Sequence, residues 1–214
     1  MNTEDAPAPA PEAYDPDTLA FYEREAANYA RWKGGTAMNT ARWMDGFLAR
    51  MAPGARILEL GCGSGRDAET MIGRGFDVTP TDGAAGMAQA AARRLGRPVK
   101  VMRFEELEAE NEYDGVWASA ALLHTPAAAL PDVLARVRRA LKPGGTVYAS
   151  YKKGVGKGEG RDGMGRLYNY PTTPALYGAY AASGPWAGMT LEEGTGMSYD
   201  GAMAVIQHVL AVKP

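Results

Sequence analysis

The sequence predicts an α/β fold built on a mostly parallel sheet with helices on both faces. Three observations carry this. Short strand-like runs, RILEL, FDVTPTD, PVKVM, YDGVWAS and GTVYASY, alternate with helical stretches at 66–73, 84–95 and 126–141, and such alternation implies parallel strands covered on both sides. Between the first strand and the next helix, Gly61, Gly63 and Gly65 form a glycine-rich turn, at the carboxyl end of a strand, where open parallel sheets bind ligands. A chain of 214 residues with 46% hydrophobic content can bury one sizeable core and falls short of two ordinary domains.

The elements follow in order. Residues 1–16, acidic and rich in proline, lack the apolar segment of a secretory signal or membrane anchor and are read as a flexible tail. Leu19, Tyr22, Ala26 and Tyr29 recur at helical spacing with Asp17 as the expected N-cap, and AMNTARWMDGFLARM repeats the pattern before Pro53-Gly54 stops it. Residues 17–214 are therefore expected to be a single domain, opening with two helices over 17–52. Late in the chain, residues 152–170 hold Gly154, Gly156, Gly158, Gly160, Gly163 and Gly165. A loop this long and glycine-rich reads as a mobile cover over a substrate.

Charge and cysteine usage exclude some functions. A net charge of −2 and an isoelectric point near 5.8 leave no large positive field for a nucleic-acid backbone. No run approaches the roughly 18 apolar residues of a membrane-spanning helix. The lone Cys62 suits a reducing compartment, so the expected location is the cytoplasm. No metal site is singled out, and nothing in the sequence sets an oligomeric state.

What must come close to the backbone at Gly61, Gly63 and Gly65? A dinucleotide fingerprint reads G-x-G-x-x-G/A, and counting from Gly61 its sixth position is Arg66, too bulky for that packing. The stretch E-L-G-C-G-S-G instead resembles motif I of class I S-adenosylmethionine-dependent methyltransferases. Further motifs follow in order. VTPTDGAAGM places Asp82 23 residues after Glu59, YDGVWASAALLH is similar to the family's fourth strand and its loop, and RRALKPGGTVYASYKKG to the helix and fifth strand beyond.

The resemblance implies a single Rossmann-like methyltransferase domain, with seven strands in the order 3-2-1-4-5-7-6 and S-adenosylmethionine as cofactor. It implies that Glu59 and the Gly61 carbonyl, with the chain near Ala118, hold the methionine end, and that the two oxygens of Asp82 accept both ribose hydroxyls. Cys62, Gly63, Gly65, Gly83, Met87 and Tyr29 complete the cofactor set. Where relatives carry an acid after the third strand this sequence has Arg103, so the adenine amino group is assigned to Glu105 and a ring nitrogen to the Phe104 main chain.

WASAALLHTP, SYKKGVGKGEGRDGMGRLYNYP and HVLAVKP narrow the likeness to small bacterial methyltransferases akin to the tellurite-resistance type. The sequence departs from that subgroup at Ala127, where an arginine is frequent, and at Ile206, where a tryptophan is expected two residues before His208. His124, Arg166 and Tyr168, with Tyr170, are the candidate acceptor-site residues. His124 reads equally as a core or capping histidine and as a base or substrate orienter. Tyr22, Tyr29 and Trp32 read as a helical packing stripe or as lid aromatics near a sulfonium, and His208 reads as structural.

Methyl transfer needs in-line positioning and exclusion of water more than a catalytic triad. The expected function is therefore methyl transfer to a small-molecule acceptor. A nicotinamide-dependent oxidoreductase and a non-catalytic cofactor-binding scaffold are the alternatives.

Overall fold

The computed structural model describes residues 13–32, 37–156, 158–199 and 201–214, with side chains omitted at 37–39. In chain order the elements are α1 (Pro16–Arg31), α2 (Ala37–Leu48), β1 (Arg56–Leu60), α3 (Arg66–Gly73), β2 (Asp77–Asp82), α4 (Ala85–Leu95), β3 (Lys100–Val101) and β4 (Tyr113–Ala118). They continue as α5 (Leu130–Ala140), β5 (Leu141–Lys152), β6 (Glu159–Arg161), β7 (Leu167–Asn169), α6 (Thr173–Ala182), β8 (Gly188–Met197) and β9 (Met203–Val212). The main sheet has seven strands in the order β3-β2-β1-β4-β5-β9-β8. Strands β1 to β5 pair in parallel, whereas β9 runs antiparallel to β5 and β8 antiparallel to β9. This is the expected 3-2-1-4-5-7-6 order once β6 and β7, which form a separate two-stranded sheet, are set aside.

Burial explains why these runs become central strands. Ile57, Leu58 and Leu60 of β1 and Val116, Trp117 and Ala118 of β4 are all at most 1% exposed, so both faces of the sheet are covered. On one face α5 buries Leu130, Val133, Leu134, Val137 and Ala140, a helical stripe against Leu58, Val116 and Val147. On the other, the Trp117 indole stacks on Tyr148 at 4.0 Å between centroids and meets Phe47 of α2 at 5.2 Å. Helix α2 can lie this close because β4 carries glycine at position 115. A Cβ there would stand 2.7 Å from Phe47 Cζ and Met51 Sδ.

Three expectations need correction. The N-cap of α1 is Asp15, whose carboxylate accepts the Thr18 N–H at 2.8 Å with Pro16 at the first helical position; Asp17 is exposed in the first turn. Ordered structure begins before residue 17, since Ala13 packs on the core and Tyr14 stands under the Arg103 guanidinium at 4.5 Å. The rest of the expected tail, residues 1–12, lies outside the described residues. The helix expected over 126–141 is shorter, with Pro126 to Ala129 forming a turn ahead of α5.

The glycine-rich 152–170 stretch is largely the β6–β7 hairpin, with Gly160 paired to Tyr168. It straps onto the start of α1. Arg161 reaches Asp15 at 2.6 Å and the Leu167 N–H donates to Thr18 Oγ1 at 2.7 Å. Among the described residues no helix is long and apolar enough to cross a membrane.

The strap predicts a local effect. Arg161 is solvent-facing, so Arg161→Ala should shift the melting temperature by no more than about 2 °C. Amide exchange at Thr18 and Leu167 should nonetheless rise about tenfold as the hairpin and helix start loosen. Unchanged exchange at those amides would mean that the hairpin is held by other contacts.

Candidate active site

The glycine turn between β1 and α3 is the centre of the site. Gly61, Gly63 and Gly65 have φ of +66°, +55° and +78°, a region that L side chains rarely adopt. At two of them the close neighbour is the protein itself. A Cβ on Gly61 would stand 2.7 Å from Ala121 Cβ, and one on Gly65 would press on Ala91 and Leu95 of α4 at 3.1 and 3.3 Å. Gly63 is different: its Cβ would meet only Tyr29 Cε1, at 3.6 Å, across the cleft. The turn is locked by Cys62 N–H donating to the Thr81 carbonyl at 2.8 Å and by the Thr81 hydroxyl donating to the Glu59 carbonyl at 2.8 Å.

Four acidic residues line the resulting cleft, Asp15, Glu59, Asp67 and Asp82, of which Asp15 is paired with Arg161. Glu59 is 3% exposed and its Oε2 has no hydrogen-bond partner. Burial, followed by the charges of Asp67 and Asp82, raises its pKa well above the usual value, while the Ala68 N–H works in the opposite direction. Asp67 accepts the Trp117 indole N–H at 2.8 Å, yet burial still raises its pKa. Asp82 takes the Gly63 N–H at 2.8 Å on one oxygen and the Ala84 N–H at 2.9 Å on the other. Burial pushes Asp82 up to about 6 against those two bonds. Each oxygen keeps a further lone pair for a ligand. Beside them Ser64 Oγ is buried without a partner. Burial, with Glu59 and Asp82 nearby, also raises the Cys62 thiol far above its ordinary range, so it stays a protonated, inert wall.

Helix α1 roofs the cleft with Leu19, Tyr22 and Tyr29, and the far end is closed by Tyr14, Arg103 and Phe104. Gly83 and Met87 line it as well. Glu105, Ala118 and Gly65 do not line it. Glu105 lies 2.9 Å from Arg103 Nε, so the guanidinium that replaces the expected acid also holds the carboxylate assigned to the adenine amino group.

A second chamber adjoins the first, and Tyr22, Tyr29, Ser119, Ala120 and His124 face both. His124 Nδ1 lies 2.6 Å from the Leu167 carbonyl, which can only accept, so Nδ1 carries the proton and Nε2 accepts from the Tyr22 hydroxyl at 2.8 Å. Arg166, 1% exposed, donates to the same hydroxyl at 3.0 Å and is held by Asp162 through Nε and Nη2 at 2.9 and 2.6 Å. Burial first, then the charges of Arg166 and Lys152, hold His124 near 4, so its imidazole is neutral at pH 7.

The structure thus brings His124, Arg166 and Tyr168 into the second chamber, whereas Tyr170 stacks behind Tyr168 and does not line it. His208 does line it, stacked on Trp43 at 4.1 Å and bonded to the Tyr148 hydroxyl at 2.9 Å. Sequence reasoning missed Lys152, at the end of β5, and Tyr199, at the tip of the β8–β9 hairpin beside Tyr29 and Trp32 at 4.9 and 5.2 Å. The run YKKG held a usable signal, a buried strand ending in lysines. Nothing local pointed to Tyr199.

The raised pKa of Asp82 sets a pH dependence in the ligand-free protein. Between about 3.8 and about 6 the folded chain holds a proton on Asp82 that the unfolded chain has lost, so stability falls as pH rises through that window. The native-minus-Asp82→Asn difference in urea unfolding should fall by on the order of 1 kcal/mol per pH unit there and level off above pH 6. Taking the difference cancels carboxylates of lowered pKa such as Asp114 and Asp162. A flat or rising difference would contradict the burial argument.

The chain is similar to known proteins in part of its sequence and in its fold. Residues 57–145 match the family described as "Methyltransferase domain". The chain is 38% identical over 125 residues to a ubiquinone biosynthesis O-methyltransferase of Xanthomonas campestris pv. campestris, an alignment covering 53% of this chain and 50% of that one. The chain therefore spans about half the length of the curated relatives it matches. Among solved structures, a Burkholderia thailandensis 1,6-didemethyltoxoflavin-N1-methyltransferase with bound S-adenosylhomocysteine aligns with a TM-score of 0.73 at 22% identity, over 98% of this chain and 93% of the other. A Haemonchus contortus phosphoethanolamine N-methyltransferase 2 in complex with S-adenosyl-L-methionine aligns with a TM-score of 0.67 at 20% identity, over 92% and 57%. Residues 57–145 thus resemble a methyltransferase domain, set in a Rossmann-like fold that takes in nearly the whole chain.

Proposed function

We propose that the chain is an S-adenosylmethionine-dependent methyltransferase acting on a small molecule. The observation that carries this is the unpartnered, buried Glu59 carboxylate oxygen facing a cleft that also holds Asp67 and Asp82. Such a cleft suits a ligand of net positive charge. It does not suit a dinucleotide, whose pyrophosphate would meet Asp67 in the first turn of α3.

The residues fit the cofactor part by part. Glu59 and Ser64 offer a carboxylate and a hydroxyl to the ammonium end, Asp82 its remaining lone pairs to a ribose diol, and Phe104 an apolar wall. When bound, the cofactor supplies a methyl group already activated on a sulfonium. The chain's own residues then have to position and seal. Tyr22 and Tyr29 present ring faces and exclude water from above, and His124 with Arg166 fixes the Tyr22 hydroxyl at the wall between the chambers.

Three further readings belong with this proposal. The β6–β7 hairpin carrying G-R-x-x-N-Y-P supports kinship with the tellurite-resistance type. The acidic charge balance and the lone cysteine support a cytoplasmic enzyme without a nucleic-acid partner. The adenine amino group is better offered to the end of the cleft formed by Tyr14, Arg103 and Phe104 than to Glu105.

Calorimetric titration with S-adenosylmethionine, S-adenosylhomocysteine and NADH in parallel tests the reading. The two adenosyl compounds should bind in the micromolar range and NADH should not. Glu59→Gln and Asp82→Ala should each weaken that binding by about tenfold or more, the loss of a charge-assisted hydrogen bond. Tyr22→Phe should leave cofactor affinity within about threefold and lower turnover by about tenfold or more. Binding of NADH alone would return the turn to the dinucleotide class.

A further inference from the structure

The far end of the first cleft presents a guanidinium where relatives carry an acid, and this exchange, taken with the methyltransferase reading above, bears on how the base of the cofactor is read. We propose that Arg103 recognises the purine through one of its acceptor ring nitrogens, and that the 6-amino group contributes little to affinity.

Three neighbours place Arg103 at the purine end. It lines the cleft beside Tyr14 and Phe104, and a Cβ on Gly83, the residue after Asp82, would stand 3.5 Å from its Cγ. A base attached to a ribose held by Asp82 therefore arrives beside this side chain. Packing orients the guanidinium. It stands 4.5 Å over the Tyr14 ring, Glu105 Oε1 lies 2.9 Å from Nε, and Nη2 donates to Glu106 Oε1 at 2.9 Å. Among the described residues no hydrogen bond occupies Nη1, which keeps two N–H groups for a ligand.

A guanidinium holds donors and no acceptor. Adenine offers acceptors at its ring nitrogens and a donor at its 6-amino group, so Arg103 can bond the ring and cannot bond the amino group. The nearby acids do not take over that task. Neither Glu105 nor Glu106 lines the cleft, and the second oxygen of Glu106 accepts the Arg103 main-chain N–H at 2.8 Å. Asp15 is occupied by Thr18 and Arg161, and Asp67 accepts the Trp117 indole N–H. Glu59 and Asp82 are assigned above to the ammonium and the ribose. Reading a base through a donor-only side chain leaves its 6-position unread.

Calorimetric titration of the full chain with S-adenosylhomocysteine and four analogues tests this, one lacking the 6-amino group and three with carbon in place of N1, N3 or N7. Removing the amino group should cost about threefold or less, whereas replacing the ring nitrogen that faces Arg103 should cost about tenfold or more, the worth of one charge-assisted hydrogen bond. In Arg103→Met that ring-nitrogen loss should shrink to about threefold or less. Any other pattern, an amino-group loss as large as the largest ring-nitrogen loss or a ring-nitrogen loss that persists in Arg103→Met, overturns the inference. Should Arg103→Met fail to fold, Arg103→Ala repeats the reading, and the ranking on the native chain stands without either. A chain that binds S-adenosylhomocysteine with the wrong ranking refutes this inference alone. One that does not bind it refutes the methyltransferase reading as well.

Discussion

A carboxylate that the fold buries without a counter-charge is the constraint around which this molecule is arranged. Glu59 stands next to the end of a strand covered on both faces, so water cannot solvate it, and the Ala68 N–H at the start of α3 offers relief. The glycine turn leaves its free oxygen uncovered. Asp82 fixes that turn from the neighbouring strand by taking the Gly63 N–H, and Thr81 ties the two strand ends together. Helix α1 then closes the cleft. Each of these features keeps open a cleft whose buried carboxylates have raised pKa values, and a cation bound there would favour their charged forms.

Local pattern was enough to find this centre. Strand, glycine turn and helix follow each other within Arg56–Thr70, so spacing placed a ligand cleft at the end of β1, whereas the strand order and the part of the second acid came from the family resemblance. The reason for the glycines was less legible. Gly61 and Gly65 give way to Ala121 and to α4, contacts that depend on distant elements, and a side chain at Gly63 alone would meet only the roof of the cleft. The displaced N-cap was a different kind of miss. Pro16 belongs at the first helical position, which makes Asp15 the cap, and that signal lay in the sequence. The hairpin at 159–169 was hidden because its glycines read as looseness. Its order comes from Asp15, Thr18 and Tyr22, on a helix far away in the chain.

The division between legible and illegible parts follows the division of labour. The matched segment 57–145 supplies the cofactor cleft's turn and acids. Most of the second chamber comes from elsewhere, with Tyr22, Tyr29 and Trp32 before that segment and Lys152, Arg166, Tyr168 and Tyr199 after it. A likeness confined to the shared segment thus bears on the first cleft and says little of the second chamber, most of whose side chains lie outside that segment.

The wall shared by the two chambers has a thermodynamic consequence. Tyr22 and His124 each present a surface to both sides and are already held, Tyr22 by His124 and Arg166 and His124 by the Leu167 carbonyl. A wall fixed before any ligand arrives has lost its side-chain entropy on folding, so little of it remains to be lost when either chamber fills.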